Sequence, residues 1–201
     1  MTYHHVEHHT ELWSAVEFCH MILRRFVPAH AAARVLDATA GNGYDTCFIL
    51  DILDDKGEVL AIDIQQQAID ATAMRIAQHP RAAQARVELC AHRDVASLLE
   101  RYGWSSLHAV VLNCGYLPGT DKSIRTTAHG TRDLLHMLIP LLEPGGVICA
   151  VCYTGHDGGV EERDAVLELC RSVAKNRYRT AMYTNPGRLH APECYCIERV
   201  A

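Results

Sequence analysis

Short, nearly unbroken apolar runs recur along the chain, separated by longer stretches in which apolar positions return every three or four residues. The short runs are "ARVLDAT" (33–39), "GEVLAIDI" (57–64), "ARVELCAH" (85–92), "LHAVVLNC" (107–114) and "GGVICAVCY" (145–153). Their continuity suits strands covered on both faces, as in a parallel sheet. Helical periodicity falls at about 44–54, 66–79, 94–102, 124–142 and 158–175. Strand and helix in alternation predict a doubly wound, mostly parallel α/β sheet. The alternation stops near the end. "YRTAMYTN" (178–185) and "ECYCIERV" (193–200) are joined by the turn-rich "PGRLHAP", so a hairpin closes the sheet and one C-terminal strand runs antiparallel to the rest. Ahead of the first strand, "TELWSAVEFCHMILRRF" (10–26) predicts an amphipathic helix packed on the sheet. No linker, repeat or low-complexity block interrupts this pattern, so residues 1–201 are expected to form a single domain.

Composition narrows the class. Apolar residues make up 49% and charged ones 21%, ordinary for a soluble globular protein. No uninterrupted apolar stretch reaches the roughly 18 residues of a membrane-spanning helix. The N-terminus "MTYHHVEHHTELW" lacks an apolar signal core, and a cytoplasmic protein is expected. His4, His5, His8 and His9 read as a solvated terminus rather than a metal site. The nine cysteines lie in apolar segments and read as small core residues of a reducing compartment. Cys149 and Cys152 have CxxC spacing, but three positions apart on a strand they point to opposite faces. Cys194 and Cys196 have no second pair at zinc-ribbon spacing, so no metal site is expected. The net charge of −5 argues against a broadly basic nucleic-acid surface and leaves room for a local basic patch.

The first apolar run leads into "VLDATAGNGYDT" (35–46), two glycines at a strand-to-helix turn. The triphosphate-binding pattern GxxxxGK[ST] is absent. Gly41 and Gly43 match the first two positions of the dinucleotide pattern GxGxxG, but Thr46 stands at the third, which counts against NAD. Asp63 ends the second strand, where an acid accepts hydrogen bonds from ribose hydroxyls. Asp37 and Thr39 stand at the end of the first strand. A carboxylate there repels a pyrophosphate and suits the ammonium of a methionine tail, while backbone N–H groups at Gly41–Gly43 receive its carboxylate. These residues select S-adenosyl-L-methionine as cofactor.

"DATAGNGYDT", "IDIQQQAI", "LNCGYLPGTDKS" and "YTGHDGG", in this order, resemble the rRNA methylase family of class I methyltransferases, over about residue 20 to the C-terminus. Members of that family are associated with methylating 5-aminomethyl-2-thiouridine at the tRNA wobble position. The resemblance implies a Rossmann-like fold in which Gly41, Asn42 and Gly43 hold the methionine part of the cofactor, Asp63 its ribose, and Ile64 and Gln65 flank the adenine. His92, at the end of the third strand, borders the adenine or is a satisfied core histidine. Cys114 replaces the leucine of the family's usual "NLGYLPG", a small apolar change.

The remaining motifs fall at the carboxyl ends of the fourth and fifth strands, where open α/β sheets bind ligands. Asn113 can accept a hydrogen bond from a substrate amine and aim its lone pair at the methyl. An ammonium must lose a proton before it attacks, and Tyr153 and His156 are the candidate acceptor or relay. Tyr116 either stacks on the uracil or fills the pocket wall. Lys122, Ser123 and Arg125, with a helix N-terminus, suit a phosphate, and Asp121 caps that helix or pairs with the substrate ammonium. Arg24 and Arg25 extend a basic face or are simply solvated. The expected partner is the anticodon loop of tRNA, gripped by a monomer or a homodimer. An rRNA or small-amine methyltransferase, and a non-catalytic cofactor-binding protein, are the competing readings.

Overall fold

The alternate residues of each strand divide between two cores. Leu36, Leu60, Leu112 and Cys152 belong to one, and Val35, Val59, Val111 and Cys149 to the other, all with no exposed surface. Two covered faces are why the runs are continuous rather than alternating. The opposed placement of Cys149 and Cys152 is the one expected from their spacing, and all nine cysteines are free thiols.

The computed structural model describes residues 12–117, 119 and 124–200. Its strands are β1 (Arg34–Asp37), β2 (Glu58–Asp63), β3 (Ala85–Leu89), β4 (Leu107–Cys114), β5 (Leu142–Cys152), β6 (Tyr178–Thr184) and β7 (Glu193–Arg199). They form one sheet in the order β3-β2-β1-β4-β5-β7-β6. The β1–β5 pairings are parallel, and β7 runs antiparallel to both β5 and β6, so β7 is the single reversed strand of the hairpin expected from the sequence. The helices are α1 (Ala15–Phe26), α2 (Tyr44–Ile52), α3 (Gln66–Ile76), α4 (Val95–Arg101), α5 (Ala128–Leu138) and α6 (Gly159–Ser172). One face of the sheet is covered by α1, α2 and α3 through residues such as Leu23, Ile49 and Ile76, the other by α4, α5 and α6 through Leu99, Leu135 and Val166. Among the described residues no helix is long and apolar enough to cross a membrane.

Several element ends shift by a few residues, and two helix starts move by more than one. The first helix starts at Ala15, because Ser14 caps it: its hydroxyl accepts the Glu17 N–H, and the Glu17 carboxylate accepts the Ser14 N–H at 2.7 Å. The stretch expected to be helical from 124 becomes α5 only at Ala128. Arg125 instead forms an antiparallel bridge with Tyr116, and Thr127 supplies the cap by accepting the Gly130 N–H at 3.2 Å. Thr127 thus holds the capping place expected of Asp121, and the helix N-terminus expected beside Lys122 lies further along the chain. Asp121, Lys122 and Ser123 themselves, like the N-terminal histidines, lie outside the described residues.

The chain reverses its direction of strand addition at β1, whose neighbours are β2 and β4. A crevice opens at the carboxyl ends of the strands at such a switch point. It is there that the motif residues meet.

Candidate active site

The chain leaves β1 at Asp37 and turns through Thr39–Gly43 into α2. Gly41 (φ 53°) and Gly43 (φ 78°) take the left-handed conformation that favours glycine. A Cβ on Gly43 would lie 2.9 Å from the Thr72 Cα, so the turn sits directly against α3. Asp37 is fully buried beneath the turn. Its carboxylate accepts the Thr46 hydroxyl at 2.6 Å and the Thr39 N–H at 3.2 Å, and it lines neither cavity at the strand ends. This corrects the expectation that Asp37 faces a methionine ammonium: it has no exposed surface through which to meet one, and its carboxylate holds the turn to α2. Thr46, which breaks the dinucleotide pattern, is the donor on the other side of that contact. Burial, reinforced by the negative charge of Asp45, pushes the Asp37 carboxyl up to about 7.

Asp63 closes the turn from β2. Its two oxygens accept the Gly41 N–H at 3.1 Å and the Gln65 N–H at 2.9 Å. Each retains a lone pair for a further donor, the provision a ribose diol requires. Asp63 itself lines neither cavity, but unlike Asp37 it is only half-buried, and the next two residues, Ile64 and Gln65, do line one.

Two cavities flank this turn. One of about 660 Å³ carries Ile64, Gln65 and His92, the residues expected around an adenine. The other, of about 580 Å³, carries Gly41, Asn42, Asn113, Tyr153 and His156. Thr39, Gly115, Tyr116, Leu117 and Thr126 line both and form their common wall. His92 Nε2 donates to the Ala38 carbonyl at 2.8 Å, so it is both a satisfied histidine and part of the wall.

The second cavity holds the polar groups suited to chemistry. The Asn113 N–H donates to the Thr39 hydroxyl at 2.7 Å, fixing the end of β4 against that of β1. The Asn113 side-chain NH2 donates to Asp45 Oδ2 at 2.5 Å, and Asp45 Oδ1 lies 2.6 Å from His20 Nε2. Asn113 Oδ1 is buried and has no partner among the described residues. His156 Nδ1 lies 3.0 Å from the Asp157 carbonyl. A carbonyl only accepts, so Nδ1 carries the hydrogen, and in the neutral ring Nε2 is the bare nitrogen. That nitrogen too is buried without a partner among the described residues. Tyr116 meets the His156 ring edge-on, with centroids 5.6 Å apart. Burial, and then the Asp45 charge, raises the Tyr153 phenol above its ordinary value near 10, so it stays protonated and serves as a donor. The proton-accepting role shared between Tyr153 and His156 in the sequence therefore fits His156.

Arg125 pairs with Asp157 at 2.7 Å and lines the larger cavity. Arg24 lies over the Phe48 ring at 5.2 Å. Four residues were not foreseen. Asp45 and His20 are the first two, and Tyr44 is the third: it is 64% exposed at the cavity rim, under the Arg75 guanidinium at 3.7 Å. His190, from the β6–β7 connection, is the fourth. The "YD" after the second glycine was the available signal for two of them.

The sequence profile of the family described as "Putative rRNA methylase" matches residues 59–198. A solved structure from Clostridium thermocellum carrying the same description superposes with a TM-score of 0.86 at 29% identity, covering 94% of this chain and 99% of that one. A Streptococcus mutans protein described as "a putative methyltransferase", in complex with SAH, gives a TM-score of 0.81 at 25% identity, with 94% of this chain and 99% of that one covered. The chain is also 34% identical over 161 residues to the "tRNA (mnm(5)s(2)U34)-methyltransferase, chloroplastic" of Arabidopsis thaliana, a match spanning 76% of this chain and 57% of that relative. The chain belongs to the "Putative rRNA methylase" family, and its fold is that of a class I, SAM-dependent methyltransferase.

Proposed function

We propose that the protein transfers a methyl group from S-adenosyl-L-methionine to the primary amine of 5-aminomethyl-(2-thio)uridine at the tRNA wobble position. The observation that carries this is the pair of buried acceptors on one cavity, Asn113 Oδ1 and His156 Nε2, neither partnered among the described residues. A neutral primary amine has two N–H groups and one lone pair. Two acceptors take the two hydrogens and leave the lone pair for in-line attack. A hydroxyl has one hydrogen, and would leave one buried acceptor unsatisfied, at a cost of about 1–3 kcal/mol.

The residues present fit the cofactor. The left-handed turn at Gly41–Gly43 opens on the second cavity, Asp63 keeps one lone pair on each oxygen, and Ile64, Gln65 and His92 bound a cavity large enough for adenosine. When bound, the cofactor supplies an electrophilic methyl on a sulfonium. The substrate ammonium sheds one proton to water before it attacks. His156 Nε2 then accepts an N–H of the neutral amine and takes that proton once the nitrogen has gained its methyl and become positively charged. Asn113 Oδ1 orients the neutral amine, and the Asp45 carboxylate behind it offsets positive charge in the cavity. Tyr116, on the wall between the cavities, contacts the uracil, and Lys122, Ser123 and Arg125 serve the phosphates. The tRNA methyltransferase relative supports the choice of an RNA substrate, with the span of the match stated above.

The test uses tRNA from cells that accumulate 5-aminomethyl-2-thiouridine, incubated with the protein and S-adenosyl-L-methionine and digested for mass spectrometry of its nucleosides. One methyl gained by that nucleoside alone is expected. No methyl on any nucleoside, with cofactor binding demonstrated by titration, moves the substrate to rRNA or a small amine.

A further inference from the structure

We infer that Asp45, steadied by His20, is a positioning residue that decides which end of the Asn113 amide faces the reaction cavity. The two ends of an asparagine amide have nearly the same shape and opposite hydrogen-bonding sense. Nothing in the backbone chooses between them: the Asn113 N–H is held by Thr39, which fixes the main chain alone. The side chain meets Asp45 Oδ2 at 2.5 Å. A carboxylate accepts only, so it draws the NH2 end, and a reversed amide would set oxygen against oxygen. Asp45 is itself held. Its other oxygen lies 2.6 Å from His20 Nε2, and the His20 ring lies flat on Phe48, with centroids 3.9 Å apart and planes 5° from parallel. The chain Phe48–His20–Asp45–Asn113 thus ends in one outward acceptor, Asn113 Oδ1. Remove Asp45 and the amide is free to turn its NH2 to the cavity, where a donor meets the N–H groups of an amine. The kinetic part of this inference rests on the function proposed above; the structural part does not.

The experiment has two readouts on the full chain. In 1H–15N spectra of the protein without substrate, the Asn113 side-chain NH2 is expected to show one hydrogen shifted downfield and slow to exchange. Asp45→Ala removes both signatures. Asp45→Asn keeps them, because the new amide oxygen accepts from Asn113. In methyl transfer to the aminomethyl tRNA, Asp45→Ala lowers kcat by about 100-fold, the scale of a misoriented reacting group, with KM for tRNA and cofactor affinity little changed. Asp45→Asn restores most of the rate. Unchanged Asn113 signals in Asp45→Ala overturn the inference whatever the activity. Cofactor affinity falling in step with kcat in both variants makes Asp45 a cofactor ligand and overturns it as well. If Asp45→Ala does not fold, His20→Ala replaces it, and Asn113 signals that stay put there count against the chain of contacts. A wild-type protein that leaves the tRNA unmethylated overturns the proposed function instead, and the amide signals still decide the positioning role.

Discussion

The Thr126 hydroxyl donates to Glu162 Oε2 at 2.9 Å, tying the segment after β4 to α6 behind the wall shared by the two cavities. The same hydroxyl accepts the Gly115 N–H at 2.7 Å, and Thr131 donates to the other oxygen of Glu162. Glu162 is 1% exposed, so its carboxylate exists to receive these hydroxyls. Glu162→Ala leaves the buried Thr131 hydroxyl and the half-buried Thr126 hydroxyl without this acceptor and is expected to cost about 3 kcal/mol. Glu162→Gln keeps one acceptor and should cost about 1 kcal/mol. Urea denaturation of the three proteins gives the order; equal stabilities would show that the network does not hold the wall.

The two glycines of the cofactor turn differ in what surrounds them. At Gly43 a Cβ would meet the Thr72 Cα at 2.9 Å, a backbone atom that cannot swing aside. At Gly41 the nearest atoms to a Cβ lie 3.7 Å away. Gly41→Ala therefore carries only left-handed strain, about 1–2 kcal/mol. Gly43→Ala adds a steric clash, and should be the more destabilising in thermal melts and the more damaging to cofactor binding in titration. The reverse order would contradict the packing of the turn on α3.

Much of this site was legible in the chain. The glycine turn, Asp63 at the end of β2 and Asn113 at the end of β4 follow from strand ends and spacing, which local sequence sets. Which of two neighbouring acids faces the cavity does not. Asp37 and Asp45 flank the same glycines, and the choice falls to burial: the first is enclosed beneath the turn, while the second lies one helical position past Tyr44, facing β4. His20 was invisible for a related reason. On α1 it reads as a polar position on an amphipathic helix, and its partner arrives only when α1 packs over α2. The "SIRTT" stretch shows the same limit, since Arg125 is drawn from helix to bridge by Tyr116, which only the folded sheet brings alongside.

His156 and Tyr153 line one cavity with different roles. His156→Ala is expected to lower kcat by about 100-fold or more, in the range for loss of a general base, with cofactor affinity unchanged. Tyr153→Phe removes a donor that stays protonated, and should cost far less. A Tyr153→Phe loss equal to that of His156→Ala in steady-state methylation would reassign the proton acceptor.

Asp63 binds the turn through Gly41 and Gln65 and offers its remaining lone pairs to the cofactor. Asp63→Ala is expected to weaken S-adenosyl-L-methionine by about 10-fold or more, the value of hydrogen bonds to a charged acceptor. Isothermal titration with the cofactor measures it directly. Unchanged affinity would remove Asp63 from the site.

Asp37 gives the fold a pH dependence whose sign can be worked out. Its carboxyl is raised from 3.8 to about 7, chiefly by burial and next by the Asp45 charge, against the opposing hydrogen bonds of Thr46 and Thr39. Between those values the folded chain holds the proton more tightly than the unfolded chain does. The stability it contributes is complete below the unfolded value and is lost as pH rises through about 7. An asparagine at this position carries no such proton. Asp37→Asn pays a pH-independent cost, because its NH2 must face either the Thr39 N–H or the Thr46 hydroxyl. Its melting temperature should nevertheless gain on the wild type between about pH 5 and about pH 8, and the gap should stop changing at higher pH. A wild-type minus Asp37→Asn difference that stays flat across that window would show that Asp37 is ionised in the fold at every pH tested.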